Sequence, residues 1–160
     1  MGTNELSVLL WKERELLELL QFKLEEEQLL LVAGKSRWIA NATKEVETVL
    51  DNVRKVGLER SVEASGVAKE WGVREDAPLS EIAAAAPAGP WKAILESHLT
   101  ALHGITAEIG RLRDANDQYL RAAYRSTQES LATVADGKST YGPAGNGPGP
   151  TDARIIDTNL

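Results

Sequence analysis

Residues 91–123 read WKAILESHLTALHGITAEIGRLRDANDQYLRAA, and the spacing within them decides the fold class. Trp91, Leu95, His98, Leu102, Ile105, Ile109, Leu112, Asn116, Tyr119 and Ala123 recur in alternating steps of four and three. That is the period of a helix face and not the two-residue period of a strand. Pro90 stands at a first-turn position, where its missing N–H costs nothing. Leu131 and Val134 extend the pattern to about Ala135. A helix of about 45 residues, at about 1.5 Å per residue, is roughly 65–70 Å long. Gly104 and Gly110 mark where it would bend or break into two.

Working outward, two more stripes of the same period precede it. From Thr3 to Ala33, Leu6, Leu10, Leu17, Leu20, Leu24 and Leu31 share a face, with the register passing through Glu13 and through Glu27 or Gln28. Thr3 or Asn4 is the expected N-cap and Gly34 the expected C-terminal cap. The second stripe, Ile39, Ala42, Val46, Val49, Val53 and Val56, follows Ser36 as N-cap and weakens after Gly57. It predicts a helix to about Lys69, bent or frayed near Gly57 or Gly66. Asp76-Ala77-Pro78 then opens a short connector helix through Leu79, Ile82 and Ala83–Ala86, closed by Pro87 and Pro90. The expected fold is all-α: an elongated antiparallel bundle of three long helices, or four if the third breaks.

From Asp136 the composition changes. Gly137 to Pro150 holds five Gly and three Pro without apolar period, which reads as a flexible linker. The expected organisation is a helical domain over 1–135 and a Gly/Pro-rich tail over 136–160. Ile155-Ile156 within that tail reads as part of an ordinary disordered terminus, with a short linear motif as the alternative.

Composition excludes several function classes. The 160 residues carry no Cys, so neither disulfides nor thiolate chemistry is available. The net charge is −6, which argues against a nucleic-acid surface, whose affinity needs clustered Lys and Arg. The longest apolar run, Leu29–Ala33, is far short of a membrane span, and the first ten residues lack the pattern of a secretion signal. A cytoplasmic address with no stable membrane insertion is expected.

Motifs with chemistry fail on spacing. Gly34-Lys35-Ser36 resembles the end of a phosphate loop, but Leu29 stands where its first Gly belongs, and a helix precedes it. His98 and His103 are five apart and diverge on a helix; neither has a Glu three residues before it, as a bundle metal site needs. No nucleophile turn or oxyanion hole is marked. Asn41-Ala42-Thr43 fits a glycosylation sequon by chance, inside a helix. His98 falls on the apolar stripe and is read as a hydrogen-bonded bundle residue. Glu25-Glu26-Glu27 is read as a solvated face, or alternatively as a dock for a basic partner. Asn116, within the stripe, is read as a residue that fixes register or partner choice. No catalytic residue, cofactor or metal site is expected.

The first stripe, LSVLLWKERELLELL from Leu6, followed by KLEEEQLLLVAG from Lys23 to Gly34, resembles the start of the FlgN family of flagellar export chaperones. Trp38-Ile-Ala-Asn-Ala-Thr-Lys-Glu-Val-Glu-Thr-Val-Leu is similar to that family's second helix, and Ile109 to Leu120 with its central Asn116 to its long final helix. Trp11, Trp38 and Pro90-Trp91 look most like actinobacterial members. The resemblance covers roughly residues 5 to 135.

The resemblance implies a cytoplasmic chaperone without cofactor or ATPase activity. Such proteins bind the C-terminal helical regions of the hook-filament junction proteins FlgK and FlgL, prevent their premature association and deliver them to the flagellar type III export apparatus. A homodimer is compatible with the same stripes. The alternative is a structural coiled-coil or oligomerisation module. The expected partner-binding residues are Asn116, Tyr119, Leu120, Ala123, Tyr124, Leu131 and Val134, because the third helix outruns the first two and ends at a linker. The stretch Trp91–Ala135 is also neutral, with five basic and five acidic residues, whereas Thr3–Ala33 carries seven acidic and three basic. The opposing reading is that these residues complete the core.

Overall fold

The structure, a computed structural model, describes residues Gly2–Ser139, with side chains through Gly137. The expected tail beyond them, with Ile155-Ile156, lies outside the described residues. Four helices follow in order: α1 (Gly2–Val32), α2 (Ser36–Glu70), α3 (Leu79–Ala84) and α4 (Trp91–Ser139). No strand occurs among the described residues. The chain falls into two compact units, Met1–Arg121 and Ala122–Leu160.

In the first unit, α1 turns into α2 through a left-handed Gly34 (φ 66°). Lys35 N–H donates to Leu30 C=O at 2.9 Å, and Gly34 N–H to Leu31 C=O at 3.2 Å. This is the paired hydrogen-bond motif that satisfies the last carbonyls of a helix. Gly72 (φ 73°) ends α2 in the same way, with Val73 N–H on Ala68 C=O at 2.8 Å. Both C-terminal stops require positive φ, which only glycine adopts without strain.

The N-termini differ from expectation. Helix α1 already includes Thr3 and Asn4, so neither caps it, and Thr3 is buried. Ser36 is the first residue of α2, and Lys35 occupies the cap position without a side-chain bond. Helix α2 runs unbroken past Gly57 and Gly66, and α4 past Gly104 and Gly110, so three long helices and one short one result. Helix α4 also extends to Ser139, beyond the expected end near Ala135.

Two apolar clusters form the core of the first unit. Leu6 and Leu10 of α1 pack with Ala64, Val67 and Ala68 of α2, Leu79, Ile82 and Ala83 of α3, and Leu95 of α4. Leu17, Leu20 and Leu24 of α1 pack with Val46 and Val49 of α2 and Ile109 and Leu112 of α4. Early α1 thus meets late α2 and early α4, so α2 runs antiparallel to α1 and α4 runs parallel to it. The connector places Leu79 and Ile82 beneath the first cluster, which is why a six-residue helix is worth forming.

Ile82 has no solvent exposure. Ile82→Ala is expected to destabilise the chain by about 2–5 kcal/mol, through lost transfer energy and a cavity. Leu58→Ala, at a site 70% exposed, should stay within about 0.5 kcal/mol. Urea denaturation of both variants measures the contrast.

Candidate functional site

The apolar stripe of α1 is interrupted at the two glutamates on which the sequence register falls. Glu13 is 8% exposed and Glu27 4%. Of the run Glu25-Glu26-Glu27, expected as a solvated face, only Glu25 is fully exposed, and Glu27 points inward. Thr43 Oγ1 of α2 donates to Glu27 Oε2 at 2.9 Å. Asn116 Nδ2 of α4 donates to Glu27 Oε1 at 3.0 Å and to Leu24 C=O at 2.9 Å. These acceptors fix the orientation of the amide, since a flipped Asn116 would set its oxygen against two oxygens. Asn116 Oδ1 is buried without a hydrogen-bond partner.

Glu13 faces Arg60 of α2, with Arg60 Nε and Glu13 Oε2 2.7 Å apart. The contact is an ion pair without the angle of a good hydrogen bond, since both atoms count as unsatisfied. Burial raises the Glu13 carboxyl above its ordinary range, and the Arg60 charge offsets only part of that. A Cβ at Gly57 would lie 4.0 Å from Glu13 Oε1, an ordinary van der Waals contact.

His98 is 2% exposed. Trp11 meets it edge-on, with ring centroids 5.0 Å apart and planes at 81°. The Arg14 guanidinium lies 4.3 Å above the other partner, the Trp11 ring. His98 belongs to the bundle interior, as its register implies, but its Nδ1 has no hydrogen-bond partner. Burial lowers its pKa first, and the Arg14 charge adds to that. Among the described residues no three His, Asp or Glu side chains gather as a metal ion would require.

The residues expected to bind a partner divide. Asn116 is buried and its amide is used inside the first unit. Tyr119 and Leu120 are exposed in the same unit, Leu120 at the lip of a groove of about 440 Å³ with Leu24, Val46, Leu50 and Asn116. In the second unit every side chain described, Ala122 through Gly137, is exposed. Tyr124 is 66% exposed, Leu131 64% and Val134 58%. Tyr124, Thr127, Leu131 and Val134 follow in steps of three and four, so they share one helix face. Gln128 Nε2 donates to Tyr124 Oη at 2.8 Å and leaves the ring face open. Ala123 is exposed too, as the small residue of the earlier register.

Two outcomes test the interior. Asn116→Ala should destabilise the fold by about 1–3 kcal/mol by leaving the Glu27 carboxyl one donor short, and Asn116→Asp should cost more; thermal melts of the two report it. Because the folded-state pKa of His98 lies below the ordinary value of about 6.5, the unfolded chain takes up the proton first. Stability from this group is complete above that value and falls as the pH drops below it. His98→Phe should flatten the stability profile below about pH 6.5, measured by denaturation at each pH.

No curated protein and no solved structure matches the chain. A comparison with protein families gives a match to the family described as FlgN protein over residues 1–149. That match spans all four helices. No described helix is long and apolar enough to cross a membrane. The chain belongs to the FlgN family, the flagellar export chaperones.

Proposed function

We propose that this chaperone works in the cytoplasm and binds the C-terminal helical regions of hook-filament junction proteins of the FlgK and FlgL kind, holding them apart until the flagellar export apparatus takes them. The observation that carries the reading is the exposure of every described side chain from Ala122 to Gly137 along a helix that still bears Tyr124, Leu131 and Val134 on one face. Isolated helices of this length are marginal in water, and most helices draw their stability from packing an apolar face. A helix with such a face and no packing in its own unit suits the addition of a partner helix. Ala123 keeps the neighbouring position small, so that the partner backbone can approach. Tyr119 and Leu120 offer the first unit's own exposed apolar surface. Asn116 acts there through the fold, since its amide is spent on Glu27 and Leu24.

An unassembled junction protein with an exposed apolar helix would self-associate, and a matching helix face covers that surface. The family is one of chaperones and not of enzymes. The reading therefore asks for complementary shape and no chemistry.

The test combines Tyr124→Ser with Leu131→Ser. Both side chains are exposed, so the melting temperature should hold within about 2 °C. Binding to a purified FlgK or FlgL C-terminal helical segment, measured by calorimetry, should fall by at least about tenfold. Unchanged binding would remove this face as the substrate surface, and self-association in place of cargo binding would favour an oligomerisation module.

A further inference from the structure

A second apolar surface lies on the first unit, far in sequence from the cargo face. Val8 and Leu9 of α1 and Val62 of α2 line a groove of about 580 Å³, with Glu5, Glu59 and Glu63 among its lining residues. Val8 is 65% exposed and Val62 72%. Leu58, one turn from Val62, adds to the exposed apolar surface. Three apolar side chains this open, on two adjacent helices, are more than the scattered single residues of an ordinary surface.

The charge around the groove is one-sided. Lys12 reaches Glu59 at 3.8 Å, with both side chains more than half exposed, a geometry that contributes little. Glu5 and Glu63 have no ion pair among the described residues. A second groove between α1 and α2, lined by Leu29, Leu30 and Trp38, has acids at Glu26 and Glu45, and Lys23 pairs with both, at 3.0 and 2.8 Å, which leaves one net negative charge there. With Glu5, Glu59 and Glu63 against Lys12 alone, the rim of the Val8 groove keeps two net negative charges, one more than its counterpart.

We propose that the Val8–Leu9–Val62 groove is a docking site for a basic amphipathic helix of another protein, its apolar side chains seated on Val8 and Val62 and its Lys or Arg side chains on Glu5, Glu59 and Glu63. Helix-in-groove recognition reads apolar anchors at i, i+3 or i+4 and i+7, and the rim charge selects the sign of the flanking residues. The chain's own terminal stretch, Thr151–Leu160, has two acids (Asp152, Asp157) against one base (Arg154), so its net −1 makes it a poor occupant. This goes beyond the cargo face on α4 and does not depend on it.

The experiment uses the full chain and two synthetic peptides of the same length and Leu spacing, one with Lys and one with Glu at the flanking positions. Backbone NMR shifts on adding the Lys peptide should centre on Val8, Leu9 and Val62, and the Glu peptide should produce none. Val8→Ser with Val62→Ser, and separately Glu59→Lys with Glu63→Lys, should each weaken the Lys peptide by about tenfold or more, with unchanged circular dichroism. The charge-reversed variant should in turn accept the Glu peptide. Tyr124→Ser with Leu131→Ser should leave this binding intact, which separates its failure from that of the cargo reading. Shifts centred elsewhere, wild-type affinity in either double variant, or indifference to peptide charge would overturn the proposal. So would a concentration-dependent dimer abolished by Val8→Ser with Val62→Ser, which would assign the groove to a second copy of the chain.

Discussion

One carboxyl group joins the three long helices of the first unit. Glu27 belongs to α1 and accepts from Thr43 of α2 through one oxygen and from Asn116 of α4 through the other. A polar group this far from water has to be satisfied, and each lost donor would cost on the order of 1–3 kcal/mol. Apolar side chains tolerate sliding by a turn, because one leucine replaces another. Two hydrogen bonds from two different helices to one carboxyl do not. The register of α1 against α2 and α4 therefore depends on this point, and the Leu17–Leu112 cluster one turn below is aligned by it.

The second buried glutamate has a different role. Glu13 lies in sequence between the residues of the two apolar clusters, with Arg60 as its counter-charge. Burial raises its pKa by more than Arg60 lowers it, and a buried ion pair of this kind is weak evidence for stability. His98, held edge-on by Trp11, adds a third polar group with an unfilled nitrogen. A bundle with these interior groups gives up stability that leucines would provide, and in exchange alternative registers are penalised. Specificity by buried polar groups is well attested in helical seams.

Much of this was legible in the spacing. The register through Glu13 and Glu27, the inclusion of His98 and Asn116, the turn at Gly34 and the connector helix at Leu79 all follow from a period of 3.6 and from what glycine and proline allow. The caps of α1 and α2 were not legible, since Lys35 caps by backbone geometry alone and Thr3 is drawn into the core. Helix α2 does not fray or break at Gly57 or Gly66, because the packing of Val56, Ala64, Val67 and Ala68 outweighs a glycine's cost of about 1 kcal/mol. Periodicity put Tyr119 and Ala123 on the same helix face as Leu112 and Asn116, and at that end of the face both are exposed. The pattern of a helix names its faces; whether another element covers a face depends on residues elsewhere in the chain. The partner of Glu27 in α2 could not be read either, because a threonine hydroxyl carries no periodic signal.

The exposed part of α4 adds a constraint on affinity. A partner helix laid along Tyr124, Leu131 and Val134 gains a few large apolar contacts and must offset the cost of ordering both helices. An interface of that size falls in the weak and transient class rather than with permanent complexes. On the proposed reading this matches the task, since cargo bound as firmly as a core element could not be handed on. A more apolar helix would bind better and release worse, and it would also expose more surface to self-association while empty. Thr127 between Tyr124 and Leu131, and Ser126, Ser130 and Thr133 around them, keep that surface divided. On that reading the polar residues along the stripe matter as much as the apolar ones, because they set an upper limit on how tightly it can hold.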